Sequence, residues 1–145
     1  MIHLNKLILV LSLIFVFSLS SCKKTEAANT SAQPAAVQQE FTGYLMDVTC
    51  GTSATGKAMD KSDVLNSPKD HTVACLLACE KSGFGIMTKG NGDAVYKFTK
   101  FDDNGTKLSS DLLHKTTKKN GMSISVKGTL GNNIIMVSSI EEKSL

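Results

Sequence analysis

The chain has 145 residues, 16 basic against 13 acidic side chains, a formal net charge of +3, 41% hydrophobic residues and no tryptophan. Every basic residue is lysine, so the planar guanidinium fork that reads phosphate or guanine bidentately is missing, and no nucleic acid is expected as a partner. The near balance of charge selects no other partner class, and the length suits one domain rather than two.

Lys6 is followed by an apolar run from Leu7 to Leu19, then by Ser20 and Ser21 directly before Cys22. A positive end, an apolar stretch and small residues are the layout of a cleaved signal peptide. Roughly 13 apolar residues are too few for a membrane span, which takes about 20. The quartet Leu19-Ser20-Ser21-Cys22 resembles the lipobox of bacterial lipoproteins. That resemblance implies removal of residues 1–21, lipidation of the Cys22 thiol, and a membrane partner reached through the lipid anchor. The domain would then stand outside the cytoplasm, in the cell envelope. By the sorting tendency of lipoproteins, Lys23 rather than aspartate after the cysteine implies the outer membrane. An ordinary secretory peptide with a chance cysteine is the alternative.

Residues 22–39, Lys-Lys followed mainly by Ala, Thr, Ser, Asn, Gln and one Pro, carry no apolar periodicity and read as a disordered tether. The folded domain is expected over residues 40–142. Phe41 to Val48 reads as a strand, and the small, polar residues from Gly51 to Lys61 as a loop. Ser67-Pro68-Lys69-Asp70 combines a capping serine, proline at the first helical position and an acid three residues on. It predicts a helix of about four turns running to Ser82 and stopping at Gly83.

Phe84 to Thr88 and Ala94 to Phe101 flank Gly90-Asn91-Gly92 as a hairpin, and Asp102 to Gly105 has turn chemistry. Ser109 to Lys115 suits a short helix. Met122, Ile124 and Val126 alternate with Ser123, Ser125 and Lys127 as a half-buried strand. Gly131-Asn132-Asn133 then turns the chain into a last strand, Ile134 to Ile140, with an expected apolar face of Ile134, Met136 and Ile140.

The predicted fold is mainly β, a five-stranded OB-fold-like barrel with one inserted α-helix and one short helix. Gly43-Tyr44-Leu45-Met46-Asp47-Val48-Thr49-Cys50, the later His71-Thr72-Val73-Ala74-Cys75 with Cys79, and Val126-Lys127-Gly128-Thr129 resemble a group of small exported bacterial OB-like domains of unknown function. The likeness covers roughly residues 40 to 142 and bears on fold, so activity must be read from the site itself.

With Cys22 assigned to lipid, Cys50, Cys75 and Cys79 remain, an awkward number in an oxidising compartment. On a continuous helix His71, Cys75 and Cys79 share one face at about 6 Å of rise per step. Thiolate and imidazole suit zinc or copper(I). Metal bonds of roughly 2.0–2.3 Å allow one ion only two of those three. The candidate ligands are Cys50, Cys75 and Cys79, with His71 as an alternative or outer ligand if the helix begins later. Taken alone, His71 reads as a solvated first-turn residue. A disulfide from Cys50 to Cys75 or Cys79 would instead pin the insertion, contributing about 3–4 kcal/mol in the chain-entropy model. That reading makes the domain a protein-interaction module. A thiol redox function is the third reading, although the spacing is not Cys-x-x-Cys.

No nucleophile and base pair supports an enzyme, and His114, beside Lys115, reads as a surface residue. Gly51-Thr52-Ser53-Ala54-Thr55-Gly56-Lys57-Ala58 approaches a phosphate-binding loop but has Ala58 where the magnesium-binding hydroxyl belongs. Asp102-Asp103-Asn104-Gly105 approaches a calcium loop but has Leu113 where the closing glutamate belongs.

Overall fold

The computed structural model describes residues 37–144. The expected signal peptide, Cys22 and nearly all of the expected tether lie outside the described residues. Among the described residues no helix is long and apolar enough to cross a membrane.

Five strands form one mixed sheet: β1 (Gln39–Asp47), β2 (Phe84–Thr88), β3 (Lys97–Phe101), β4 (Ser123–Gly131) and β5 (Ile134–Glu142). Three α-helices accompany them, α1 (Val48–Gly51), α2 (Val73–Ala78) and α3 (Asp103–Leu113). The hydrogen-bonded order is β1-β2-β3-β5-β4, and β4 returns to β1, so each strand has two neighbours. All pairings are antiparallel except β3 with β5. The mainly β, five-stranded expectation holds at this level.

β1 serves both neighbours in succession: Gln39–Tyr44 pair with β4, and Tyr44–Asp47 with β2. The changeover falls near Gly43, where a Cβ would collide with the carbonyl oxygen of Met87. Glycine is therefore required by close backbone approach.

The helix lengths differ from expectation. The segment expected as one helix from Ser67 to Ser82 is broken into a 3₁₀ turn at Pro68–Asp70, the six-residue α2, and a second 3₁₀ turn at Glu80–Ser82. Ser67 makes no capping bond. His71 and Thr72 are instead extended, with Thr72 bridged to Asn120 and Gly121 N donating to the His71 carbonyl. Thr72 is the true cap, its hydroxyl accepting from Cys75 N. Gly83, at φ 84°, ends the segment as expected. Conversely, α3 starts six residues earlier than Ser109. Asp102 caps it by accepting from Gly105 N at 2.8 Å, so the expected turn is a helix start. Gly105, Ser109 and Leu113 then line its buried stripe.

Met122, just before β4, and Ile124 and Val126 within it are buried as expected, but Ser123 and Ser125 are buried too, Ser125 donating to Glu40 across the β1 pairing. The expected apolar face of β5 is corrected: Ile135 and Val137 are buried, whereas Ile134 and Met136 are exposed. A bulge explains why the alternation misled. Lys127 faces Ser139 and Gly128 faces Val137, so Ser138 is the extra residue, and the inward phase shifts before the half-buried Ile140. The β4–β5 turn uses Asn132 and Asn133, both at positive φ, the requirement of a type I′ hairpin.

Two apolar clusters result. The larger joins the sheet interior (Leu45, Ile86, Ile124, Val126, Ile135) to Val73 and Leu76 of α2 and Leu113 of α3. The smaller holds Met46, Cys50, Ala58, Val64, Cys75 and Met87. Leu45 and Met46 enter different clusters, as alternation along a strand requires. The 48–83 insertion therefore covers the opposite face of β1 and β2, and α2 lies between the two clusters.

Candidate metal centre

Asp47 ends β1 and is fully buried. Its Oδ1 accepts from Cys50 N at 2.9 Å, capping the single turn α1 and fixing the Cys50 backbone over the smaller cluster. Its Oδ2 lies 3.2 Å from His71 Nε2. The other ring nitrogen, Nδ1, lies 3.0 Å from Asp60 Oδ2 and 3.2 Å from Ser62 Oγ. Asp60 in turn accepts from Thr72 N, Thr72 Oγ1, Ser62 N and Ser62 Oγ.

An imidazole with a carboxylate at each nitrogen is matched to its protonated form, in which both nitrogens donate. Burial pulls the His71 pKa down, but the Asp47 hydrogen bond and the Asp60 charge outweigh it, and the net shift is upward. For Asp47 and Asp60 burial pushes upward and is likewise outweighed, by His71 and Cys50 N for Asp47 and by Ser62 and Thr72 for Asp60, so both are lowered. His71 is thus 1% exposed and doubly paired, not the solvated first-turn residue its position suggested.

The three thiols meet beside this chain of charges. The ligand atoms of Cys50, His71 and Cys75 all lie within 4.8 Å of one another, and so do those of Asp47, Cys50 and Cys79. Cys50 belongs to both groups. The break before α2 puts His71 on the extended segment and Cys75 on the helix, so they converge by folding back rather than by the expected i,i+4 spacing. All three cysteines are free thiols. Burial pushes the Cys50 thiol far up, with the nearby Asp47 charge adding to it, and burial also raises Cys79.

Such thiols are poor nucleophiles until something displaces their protons, which a soft metal ion does on binding. Cys50, Cys75 and His71 could hold such an ion as three ligands, while Asp47 and Cys79 form a second trio with Cys50. If His71 Nε2 turned to a metal, Nδ1 would keep Asp60 as its carboxylate partner, the usual outer support of a metal-bound imidazole. Among the described residues no buried side-chain nitrogen or oxygen lacks a partner, so His71 is also satisfied without an ion.

The sequence singled out Cys50, Cys75, Cys79 and His71, and the structure gathers all four. It did not single out Asp47, Asp60 or Met59. An aspartate three residues before Cys50 is a capping signal that could have revealed Asp47. Asp60 and Met59 come from an irregular loop and had no such signal. Met59 is exposed, yet its Sδ accepts from Cys79 Sγ at 3.5 Å. His114 is at the surface as expected, 3.4 Å from Glu80. In the glycine-rich loop, Gly51 packs on the Phe98 ring and Ala58 is buried, so neither is open to a phosphate.

Comparison with protein-family models, curated proteins and solved structures gives no match.

Proposed function

We propose that the chain is an envelope lipoprotein, anchored through Cys22, whose OB-fold-like domain binds a soft metal ion, zinc or copper(I), without catalysing a reaction. The observation that carries the metal reading is the convergence of Cys50, His71 and Cys75 ligand atoms within 4.8 Å in a buried position. Thiolate and imidazole are the donor types these ions favour. The ring order of the five strands and α3 between the third and fourth strands support the OB-like barrel. The lipid anchor rests on Leu19-Ser20-Ser21-Cys22 after the apolar run, and Lys23 supports the outer membrane. Lysine without arginine supports a partner other than nucleic acid.

A second reading, a disulfide-stabilised interaction module, is favoured by the nearness of Cys50 to both other cysteines. One sample separates the two readings. The full chain, solubilised in detergent without reductant, is analysed for zinc and copper and alkylated before and after chelation. Bound metal with thiols that react only after chelation is the expected result. One protected thiol pair without metal turns the conclusion to the disulfide module, and three reactive thiols in folded, metal-free protein overturn both. The anchor is tested by fatty-acid labelling and fractionation: Cys22→Ser should abolish label and membrane association, and an unlabelled wild type removes the lipoprotein reading.

A further inference from the structure

We infer that the ion is cuprous copper, held by sulfur alone: Cys50 with Cys75 at the inner end, or Cys50 with Cys79 and the Met59 thioether at the mouth. The inference rests on the metal-binding reading and specifies its ion and its donors, with His71 kept beside the sulfurs as an outer group between Asp47 and Asp60. Four observations lead to it. First, the harder donors at the centre are already engaged with one another, His71 with Asp47 at 3.2 Å and with Asp60 at 3.0 Å. Sulfur is the softer set beside them: the three thiols form no disulfide, and their S–H hydrogen bonds, such as that of Cys79 to Met59 Sδ, are given up when the protons leave.

Second, Met59 is 71% exposed, and its sulfur is held at the Cys79 thiol rather than in an apolar core. Its place is fixed by its neighbour in the chain: Asp60 accepts from Thr72 N at 2.8 Å and Thr72 Oγ1 at 2.9 Å, tying the loop to the start of α2. Third, the sulfurs are graded in depth. Met59 is open to solvent, Cys79 is half-buried, and Cys50 and Cys75 are buried. With Cys50 in ligand range of both other cysteines, an ion can pass inward by exchanging one sulfur for the next without leaving sulfur coordination. Fourth, the wall behind Cys50 and Cys75 is built from Met46 and Met87, both fully buried, so the inner end is dry and polarisable.

Thioether sulfur selects copper(I); zinc takes thiolate, imidazole or carboxylate and makes no use of a methionine. Copper enters as the monovalent ion, so no electron is transferred. Each thiol that coordinates releases its proton to solvent, and no covalent bond of the protein breaks other than S–H.

The test uses the full lipoprotein in detergent, fully reduced and under anaerobic conditions. Copper(I) is titrated against a chromophoric cuprous chelator, zinc against a separate zinc indicator, and the copper form is examined by X-ray absorption. The expected result is one copper(I) per chain with sulfur alone in its coordination shell. Met59→Leu, close in volume and at an exposed position, should weaken copper(I) by about tenfold or more while leaving zinc unchanged. Nitrogen in the copper shell, an unchanged copper affinity in Met59→Leu, or binding of zinc without copper(I) each overturns the inference and leaves the metal site standing. Folded, reduced protein that binds neither ion overturns the metal site as well.

Discussion

His71 Nε2 and Asp47 Oδ2 stand 3.2 Å apart where neither side chain reaches solvent. The pair joins the end of β1 to the segment before α2, 24 residues away in sequence. Removing one partner leaves the other charge buried and unpaired, which costs about 3–5 kcal/mol. His71→Leu should therefore lose about that much in urea unfolding of the metal-free protein. Asp47→Ala with His71→Leu should lose less than the two single changes added, because the stranded charge is gone. Full additivity in that cycle would show that the pair does not act as a unit.

The same three groups set how stability varies with pH. Asp47 and Asp60 are lowered in the folded protein, so their contribution is complete above the ordinary carboxylate range, about pH 4, and is lost as pH falls through the folded values. His71 is raised, so its contribution is complete below about pH 6.5 and is lost as pH rises through its folded value. The melting temperature of the metal-free protein should peak between about pH 5 and 6.5 and fall on both sides. In Asp60→Asn the acid limb should flatten. An unchanged acid limb would assign that loss to other carboxylates.

The two faces of the β4–β5 hairpin predict opposite outcomes for one kind of change. Val126→Asp places an unpaired charge where exposure is 0%, costing several kcal/mol, and should prevent folding. Met136→Asp, at a residue 50% exposed, should shift stability by no more than about 0.5 kcal/mol. Circular dichroism melts of both variants check this, and a tolerated aspartate at 126 contradicts the core assignment.

Gly105 sets two effects against each other. Alanine within a helix gains about 1 kcal/mol over glycine. Here, however, its Cβ would stand 2.5 Å from Val137 Cγ2 and 2.7 Å from Phe101 Cβ, and overpacking of that kind costs about 1–3 kcal/mol. The clash wins, and Gly105→Ala should destabilise by about 1–2 kcal/mol in chemical unfolding. Combined with Val137→Ala, it should cost less than the two changes added. A stabilised Gly105→Ala would mean that α3 can shift freely away from β5.

What could be read from residues alone was whatever local chemistry decides. The strand β2, the Asn132-Asn133 turn and the stop at Gly83 follow from short-range rules, whereas β3 begins at Lys97 rather than the expected Ala94, after a longer loop around Gly90-Asn91-Gly92. The errors lie where a distant partner decides. Thr72 became a cap because the stretch around Asn120 pairs with it, which no local pattern near Ser67 could disclose. The phase of β5 was misread because one extra residue, Ser138, is absorbed in pairing with β4. In the candidate site, cysteine and histidine stood out by their chemistry. Asp47 and Asp60 did not, since an acid on a loop or at a strand end looks the same whether it faces water or a buried imidazole.

The parallel join between β3 and β5 consists of two residue pairs, Lys100 with Ile134 and Phe101 with Ile135. The rest of the closure passes through the start of α3: Asp102 N donates to the Ile135 carbonyl at 3.1 Å, Asp102 Oδ1 accepts from Val137 N at 3.2 Å, and Asn104 Nδ2 donates to the Val137 carbonyl at 2.8 Å. Past the two ladder pairs, the sheet is therefore held at this point by one backbone bond and two side chains. Breathing of the native state should begin there, with the amides of Ile135 and Val137 exchanging with solvent ahead of those along β1. Among the described residues no cysteine belongs to that clasp, so the sheet can open along it while the sulfur cluster under the insertion stays whole.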